Sequence, residues 1–245
     1  MRNKITFVSL IPGVTDTVPV FEAKHIDHQW IKNARQDYKK RKQQDGPFNH
    51  IMQCPGIFDL YNYGYIIPMW HECLIETNGD GHSYKWAIPS DEGLEIDGIK
   101  GPLGSHEHDI VKTMSTPHYS LEGVIKFNTP WRIIAPKDVK ILMIPIAYPD
   151  SFEFESTIGI LDPGISNEIN VQVRWNVKNG RHLIKAGTPL CHVIPVTDRK
   201  LELEVRDANE NDLLWEKKKK YFNSMSWFPK RNKLKEVWQK HFKQS

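Results

Sequence analysis

GILDPGISNEINVQVRW, residues 159–175, begins with an acid inside a Pro-Gly turn and then alternates apolar and polar residues as far as a tryptophan. Ile169, Val171, Val173 and Trp175 fall on one side of an extended chain and Asn170, Gln172 and Arg174 on the other, which predicts a strand in a sheet with one buried face. Asp162 has two readings. Asp before Pro-Gly is turn chemistry, in which the carboxylate accepts from the backbone two residues on and Gly164 takes a positive φ. A carboxylate at the mouth of a strand, with Glu168 and Asn170 close by, is also the material of a polar ligand pocket, though the turn role is the simpler reading.

Short β-branched runs continue on either side of this stretch. VIKFN (124–128), WRIIAP (131–136) and KILMIPI (140–146) precede it, and HLIKAG, TPLCHVIPV and LELEV follow, each bounded by Pro, Gly, Asp or Asn as strands of a sandwich or barrel are. ITFVSLIPGV near the N-terminus reads as a first strand, since Pro12 interrupts it. The connections are too short for helical crossovers, so antiparallel pairing is expected throughout. Hydrophobic residues are 39% of the 245 and include eight Trp, enough for a packed core. The expectation is a single mainly-β domain over 1–208, an antiparallel sandwich or barrel of β-clip or jelly-roll type, with a basic helical insertion at about 28–46 that ends at Gly46-Pro47. From about Asn209 the apolar spacing changes to three and four and is broken at Pro229, which predicts two amphipathic helices in an arm over 209–245.

Charge is unevenly placed. The net charge is +3, yet residues 216–245 hold ten Lys or Arg against two Glu, a net of +8, and the first 215 residues therefore stand at −5. Lys217, Lys218, Lys219, Lys220, Lys230 and Arg231 are the candidate contacts of this arm to nucleic acid or to a protein partner, because clustered cations supply the sequence-independent part of phosphate binding. The plainer reading is a solvated helical face. Cys54, Cys73 and Cys191 are odd in number and lack CxxC spacing, so neither a disulfide framework nor a zinc knuckle is indicated, and a reducing, cytoplasmic setting is expected. No apolar run is long enough to cross a bilayer, and no membrane contact is expected.

Two further groups are candidates for chemistry. GSHEHDIV places His106 and His108 on one side of an extended segment, the spacing by which a strand offers paired imidazoles to a metal, with His118, His82 or His71 as the third ligand. Gly98, Gly101, Pro102 and Gly104 before them make an exposed loop the competing account. In YNYGY, strand alternation sets Tyr61, Tyr63 and Tyr65 on one face as a contact stripe, against simple cross-strand packing. Trp70, Trp86, Trp131 and Trp175 are read mostly as core.

AKHIDHQWIKN (23–33), CPGIFDLYNYGYIIPMW (54–70), NTPWRIIAPKDVKILMIP (128–145), GILDPGISNEINVQVRW and KAGTPLCHVIP (185–195) together resemble a family of uncharacterised proteins of tailed phages and marine environmental sequence, over about residues 5–205. The resemblance implies a phage-related origin, hence host cytoplasm or virion, and no particular activity. Over about 40 residues, GILDPGISNEINVQVRWN and AGTPLCHVI are also similar to the β-clip enzymes, the dUTPases and dCTP deaminases. There the residue at the position of Asp162 helps to activate water, and an aromatic stacks on the sugar where this chain has Ile165. The deaminases' proton-carrying glutamate, the phosphate loop and the glycine-rich closing arm have no counterpart here, so the likeness implies architecture rather than reaction, with a trimer as the analogy of fold. The expected function is a non-enzymatic, phage-associated binding or assembly module without a cofactor. The alternatives are a metal-dependent, cupin-like oxygenase using a divalent metal such as iron on His106 and His108, and a degenerate nucleotide-binding β-clip protein.

Overall fold

The computed structural model describes residues 3–44, 48–88, 95–96, 99–105, 113–223 and 231–243. Its strands are β1 (Lys4–Ser9), β2 (Phe21–Glu22), β3 (Tyr65–Pro68), β4 (Cys73–Asn78), β5 (Tyr84–Ala87), β6 (Glu95–Ile96), β7 (Ile99–Lys100), β8 (Leu103–Ser105), β9 (Ile125–Ile134), β10 (Lys140–Ile144), β11 (Phe154–Ser156), β12 (Gly159–Leu161), β13 (Glu168–Trp175), β14 (Asn179–Ile184), β15 (Pro189–Val196) and β16 (Glu202–Asp207). The helices are α1 (Val14–Thr17), α2 (Gln29–Gln44), α3 (Pro55–Tyr61), α4 (Glu210–Asn223) and α5 (Arg231–Lys243).

The fold is mainly β and is built of open sheets rather than a closed barrel. One sheet runs β11-β13-β9-β1-β16, with β8 also paired to β9; a second runs β12-β10-β15-β3-β2; a third, smaller one is β14-β4-β5, and β6 and β7 pair antiparallel. The alternation read in residues 168–175 is obeyed in full, the burial along β13 switching at every residue with Ile169, Val171, Val173 and Trp175 inside. Those residues join Phe7, Phe127 and Ile133 of the same sheet, Ile67, Ile141 and Val193 of the second, and Ile75 of the third in one apolar core. Removal of this much apolar surface from water is the dominant stabilising term.

Two features depart from the sequence reading. VIKFN and WRIIAP are one ten-residue strand, β9, and not two. Pro130 lacks an N–H for the ladder, and the register against β13 shifts between Glu168 and Asn170; the Thr129 hydroxyl donates to the Ile169 carbonyl there, so a side chain replaces the missing ladder bond. Pairing is also not wholly antiparallel: β1 runs parallel to β16 from Lys4↔Glu202 to Ser9↔Asp207. The crossover rule limits consecutive strands, whereas these two are separated by most of the chain and join its two ends. Lys4 Nζ and the Thr6 hydroxyl both donate to Glu204 across that pair, at 2.8 Å each.

Helices α2 and α3 make a second small core of Ala23, Ile31, Tyr61 and Ile66, with Trp30 and Ile146 packed against it. Among the described residues, no helix is long and apolar enough to cross a membrane.

The C-terminal helices form on either side of Pro229 as their spacing predicts, and they lie against the main sheet. Trp215 of α4 and Trp238 and Phe242 of α5 pack on one another and on Ile134 of β9. Beneath them four charges meet. Arg132 Nε lies 3.3 Å from Glu216 Oε2, Lys219 Nζ lies 3.0 Å from the same carboxylate, and Glu168 stands 3.9 Å from Arg132 and 3.8 Å from Lys219. Burial works to raise the Glu168 carboxyl, but Arg132 and Lys219 among its neighbours outweigh it and hold it below the usual range. Burial, aided by Arg132, holds Lys219 below the usual lysine range.

Candidate functional site

The opening stretch resolves first. Asp162 Oδ1 accepts from the Gly164 N–H at 3.1 Å, and its carbonyl accepts from Ile165 and Ser166, so it closes the turn, although Gly164 does not take the positive φ expected of it. Its other oxygen accepts from Lys235 Nζ of α5 at 2.8 Å. The carboxylate is thus consumed by a turn and by a helix anchor. Asp162→Ala is expected to lower stability by about 1–2 kcal/mol, as loss of a turn acceptor and a half-buried ion pair does; urea titration measures it, and an unchanged midpoint would contradict the anchoring role.

Glu168 and Asn170 stay together, the Asn170 side chain hydrogen-bonding Glu168 in the charge cluster under α4 while Asn170 Oδ1 is buried without a partner. The other candidates scatter. The tyrosine stripe does not form, because CPGIFDLY folds as helix α3 with Pro55 at its first turn, leaving Tyr61 at the helix end, Tyr63 in a turn and Tyr65 at the start of β3. Tyr63 is 64% exposed while Tyr61 and Tyr65 are buried, Tyr65 against Phe7 in the main core. His106 and His108 lie outside the described residues. His118 packs edge-on to Tyr119, His82 stands 3.3 Å from Glu122 and His71 Nδ1 meets the Glu72 carbonyl at 2.8 Å. No group of three metal-ligating side chains occurs among the described residues. Of the arm cations, Lys217, Lys218 and Lys220 are exposed and Lys219 is buried; Arg231 opens α5, and Lys230 lies outside the described residues. Cys73 and Cys191 are buried, as their strands predict, and burial pushes the Cys73 thiol up to about 12. His192 is wholly buried in β15, where burial lowers its affinity for a proton and its Nε2 meets the Tyr63 carbonyl.

A different place in the molecule has the form of a binding site. A cavity of about 620 Å³ opens where the β10–β11 loop meets the start of α2 and the start of β15. That volume is in the range of small-molecule sites. Pro145, Ile146, Pro149 and Leu190 make its walls apolar, and the rings of Tyr119, Phe152 and Phe154 line it. Phe152 is 72% exposed and Tyr119 50%, so two large rings stand in water at the edge of a concavity. Ser156, in the same lining, is 4% exposed, and its Oγ has no hydrogen-bond partner. A hydroxyl in that state costs free energy until something bonds it.

One side of the cavity is an ordered polar chain. His28 is buried, its Nδ1 3.3 Å from Asp150 Oδ2 and its Nε2 3.2 Å from the Tyr61 hydroxyl, which itself donates to the Ala147 carbonyl. Asp150 also accepts from the Gln29 N–H, at 3.1 and 3.0 Å, and so caps the sixteen-residue helix α2 from across the fold. Burial works to raise the Asp150 carboxyl, but the Gln29 amide and His28 together outweigh it and hold it below the usual range. Burial, with Tyr148 and Asp150 nearby, pushes the Tyr61 hydroxyl up to about 12, which keeps it a donor at neutral pH. In the same loop Tyr148 has φ +49°, a left-handed conformation held by Trp30, whose Nε1 donates to the Tyr148 carbonyl at 2.9 Å. Strained residues of this kind cluster at binding sites.

Comparison with protein families, with curated proteins and with solved structures finds no match to this chain. The geometry of the cavity therefore carries the functional reading. Sequence reasoning missed His28, Asp150, Ser156, Tyr119 and Phe152 because they come from separate segments with no local pattern. The nearest signal is a His directly before the first turn of a helix, at HIDHQW, where a cap is expected.

Proposed function

We propose that this chain is a non-enzymatic binding module that holds a small organic molecule in the cavity beside Ser156. The carrying observation is an apolar space of about 620 Å³ whose mouth carries the exposed rings of Tyr119 and Phe152. A ligand that fills the space covers apolar walls and rings that the fold leaves in water. Asp150 and Tyr61 occupy both ring nitrogens of His28, which leaves neither for direct contact with a ligand. A phosphate-bearing ligand is disfavoured, since the described lining holds Asp27, Asp150 and Glu155 and no Lys or Arg. The metal-dependent reading rests on His106 and His108, and the exposed Lys217, Lys218 and Lys220 remain open to an anionic partner.

The test uses Nile red, a neutral apolar dye that brightens when it leaves water. Saturable one-to-one binding is expected. The double variant Tyr119→Ala with Phe152→Ala is expected to weaken it roughly tenfold, from aromatic contacts of about 0.5–1.5 kcal/mol each, with an unchanged melting temperature because both rings are exposed. Dye binding that is not saturable, or that the double variant leaves intact, would overturn the proposal.

A further inference from the structure

We infer that α2 is a second site, independent of the cavity: its C-terminal end binds duplex DNA through the phosphates that border the major groove. Of its sixteen residues six are Lys or Arg and one is acidic, a net of +5. Residues 1–215 together stand at −5, so the rest of that span stands at −10 and the helix is a basic prong on an acidic body. Its apolar side chains face inward, Ile31 in the second core with Trp30 packed against it, and Tyr38 on the rings of Phe48 and His50. After Tyr38 that support stops. Lys39, Lys40, Arg41, Lys42 and Gln43 are exposed one after another, so this end of the helix meets water on every side.

A helix face built only for solvation sets acids three or four residues from its cations. Here Asp37, the one acid, is held by Arg41 at 3.0 Å and by His50 at 3.2 Å, and Lys32 is paired with Asp27. Arg35, Lys39, Lys40 and Lys42 have no ion pair within 4 Å among the described residues. Arg35, Lys39 and Lys42 follow one another at spacings of four and three, so like charges stand in a row on one face, an arrangement that weakens a helix. A row of cations that lowers stability and answers no acid of its own chain matches a row of anions outside it. A lipid surface needs an apolar face to insert, and none of the exposed side chains of α2 is apolar. Protein interfaces are depleted in Lys, which predominates here. A phosphate backbone asks only for positive charge and neutral donors, and Gln36 and Gln43 stand among the cations as such donors. An α-helix about 10–12 Å across fits the major groove of B-DNA, about 12 Å wide, and not the deep, narrow one of an RNA duplex.

Fluorescence anisotropy of the full chain with a labelled DNA duplex of arbitrary sequence, about 20 base pairs long, tests this over a salt series. The logarithm of the binding constant is expected to fall against the logarithm of salt with a slope of about −3 to −4, as four phosphate contacts give. The triple variant Lys39→Gln, Lys40→Gln and Lys42→Gln is expected to weaken binding about tenfold or more and to flatten the slope by about 3. Its melting temperature should not fall, because the three side chains are exposed and Gln suits a helix as well as Lys does. An RNA duplex of the same sequence is expected to bind about fivefold more weakly or worse. No binding to the DNA, equal affinity for the RNA duplex, or a triple variant that binds as the parent does would overturn the inference. Binding that is kept by the triple variant and lost on Lys217→Gln with Lys220→Gln would place the contact on α4 and overturn it as well, as would adsorption to phosphatidylserine vesicles in preference to the duplex.

Discussion

In urea titrations Glu216→Ala is expected to lose about 3–5 kcal/mol, far more than an exposed ion pair would cost. Glu216 is nine-tenths buried and is the carboxylate nearest both Arg132 and Lys219, which are buried as well. Removing it leaves two cations under α4 with only Glu168, at 3.8–3.9 Å, to answer them. A buried charge without its partner is destabilising because water cannot solvate it and the geometry cannot relax around it. Replacing Glu216 and Lys219 together by Met is expected to recover part of the loss, since one cation and one anion leave as a pair. A loss below 1 kcal/mol for the single variant would show that α4 does not sit closed over the sheet in solution. The same packing bears on the basic arm. Lys219 is unavailable to a partner and Lys235 is held by Asp162, so a contact through this region is left to exposed lysines such as Lys217 and Lys220 of α4 and Lys240 of α5.

Gly64→Ala is expected to be the second severe change, at more than about 3 kcal/mol. Gly64 has φ +75°, and a methyl group there would stand 2.3 Å from the Val193 carbonyl oxygen and 3.1 Å from His192 Nε2. Both neighbours belong to β15, which pairs with β3 immediately after this turn, and the Gly64 carbonyl accepts from the Ala23 N–H at 3.0 Å. The backbone cannot yield without parting β3 from β15, and the His192 bond to the Tyr63 carbonyl goes with it. The midpoint of urea unfolding measures the effect, and a variant within 1 kcal/mol of the parent would mean that the turn opens freely.

These two positions also show what the sequence makes legible. The alternation of EINVQVRW is local, with period two, and a sheet with one wet face obeys it, so β13 and the core it feeds are readable from eight residues. The two C-terminal helices are readable for the same reason, because their spacing is internal to each. YNYGY misleads. Its alternation is as regular as that of β13, yet Pro55 starts a helix that runs through Tyr61, and Gly64 then reverses the chain, so only Tyr65 lies in a strand. Propensity and period compete over so short a run, and the helix start decides. Asp162 is legible as a turn residue from its Pro-Gly context, whereas its bond to Lys235, 73 residues away, is not.

The cavity was hidden for a general reason. Its polar chain joins His28, Tyr61, Ala147 and Asp150, and its walls add Tyr119, Ser156 and Leu190, all brought together by strand pairing rather than by neighbourhood in the chain. No spacing rule covers such a set. What identifies it is a property only coordinates provide: a concavity of small-molecule size with two large rings standing in water at its mouth.

The most direct test of that claim is backbone amide NMR of the full chain titrated with Nile red. Shift changes confined to residues 26–28, 150–156 and 188–190, saturating together with one dissociation constant, are the predicted result. Changes centred on α4 and α5, or spread over the surface without saturation, would contradict it.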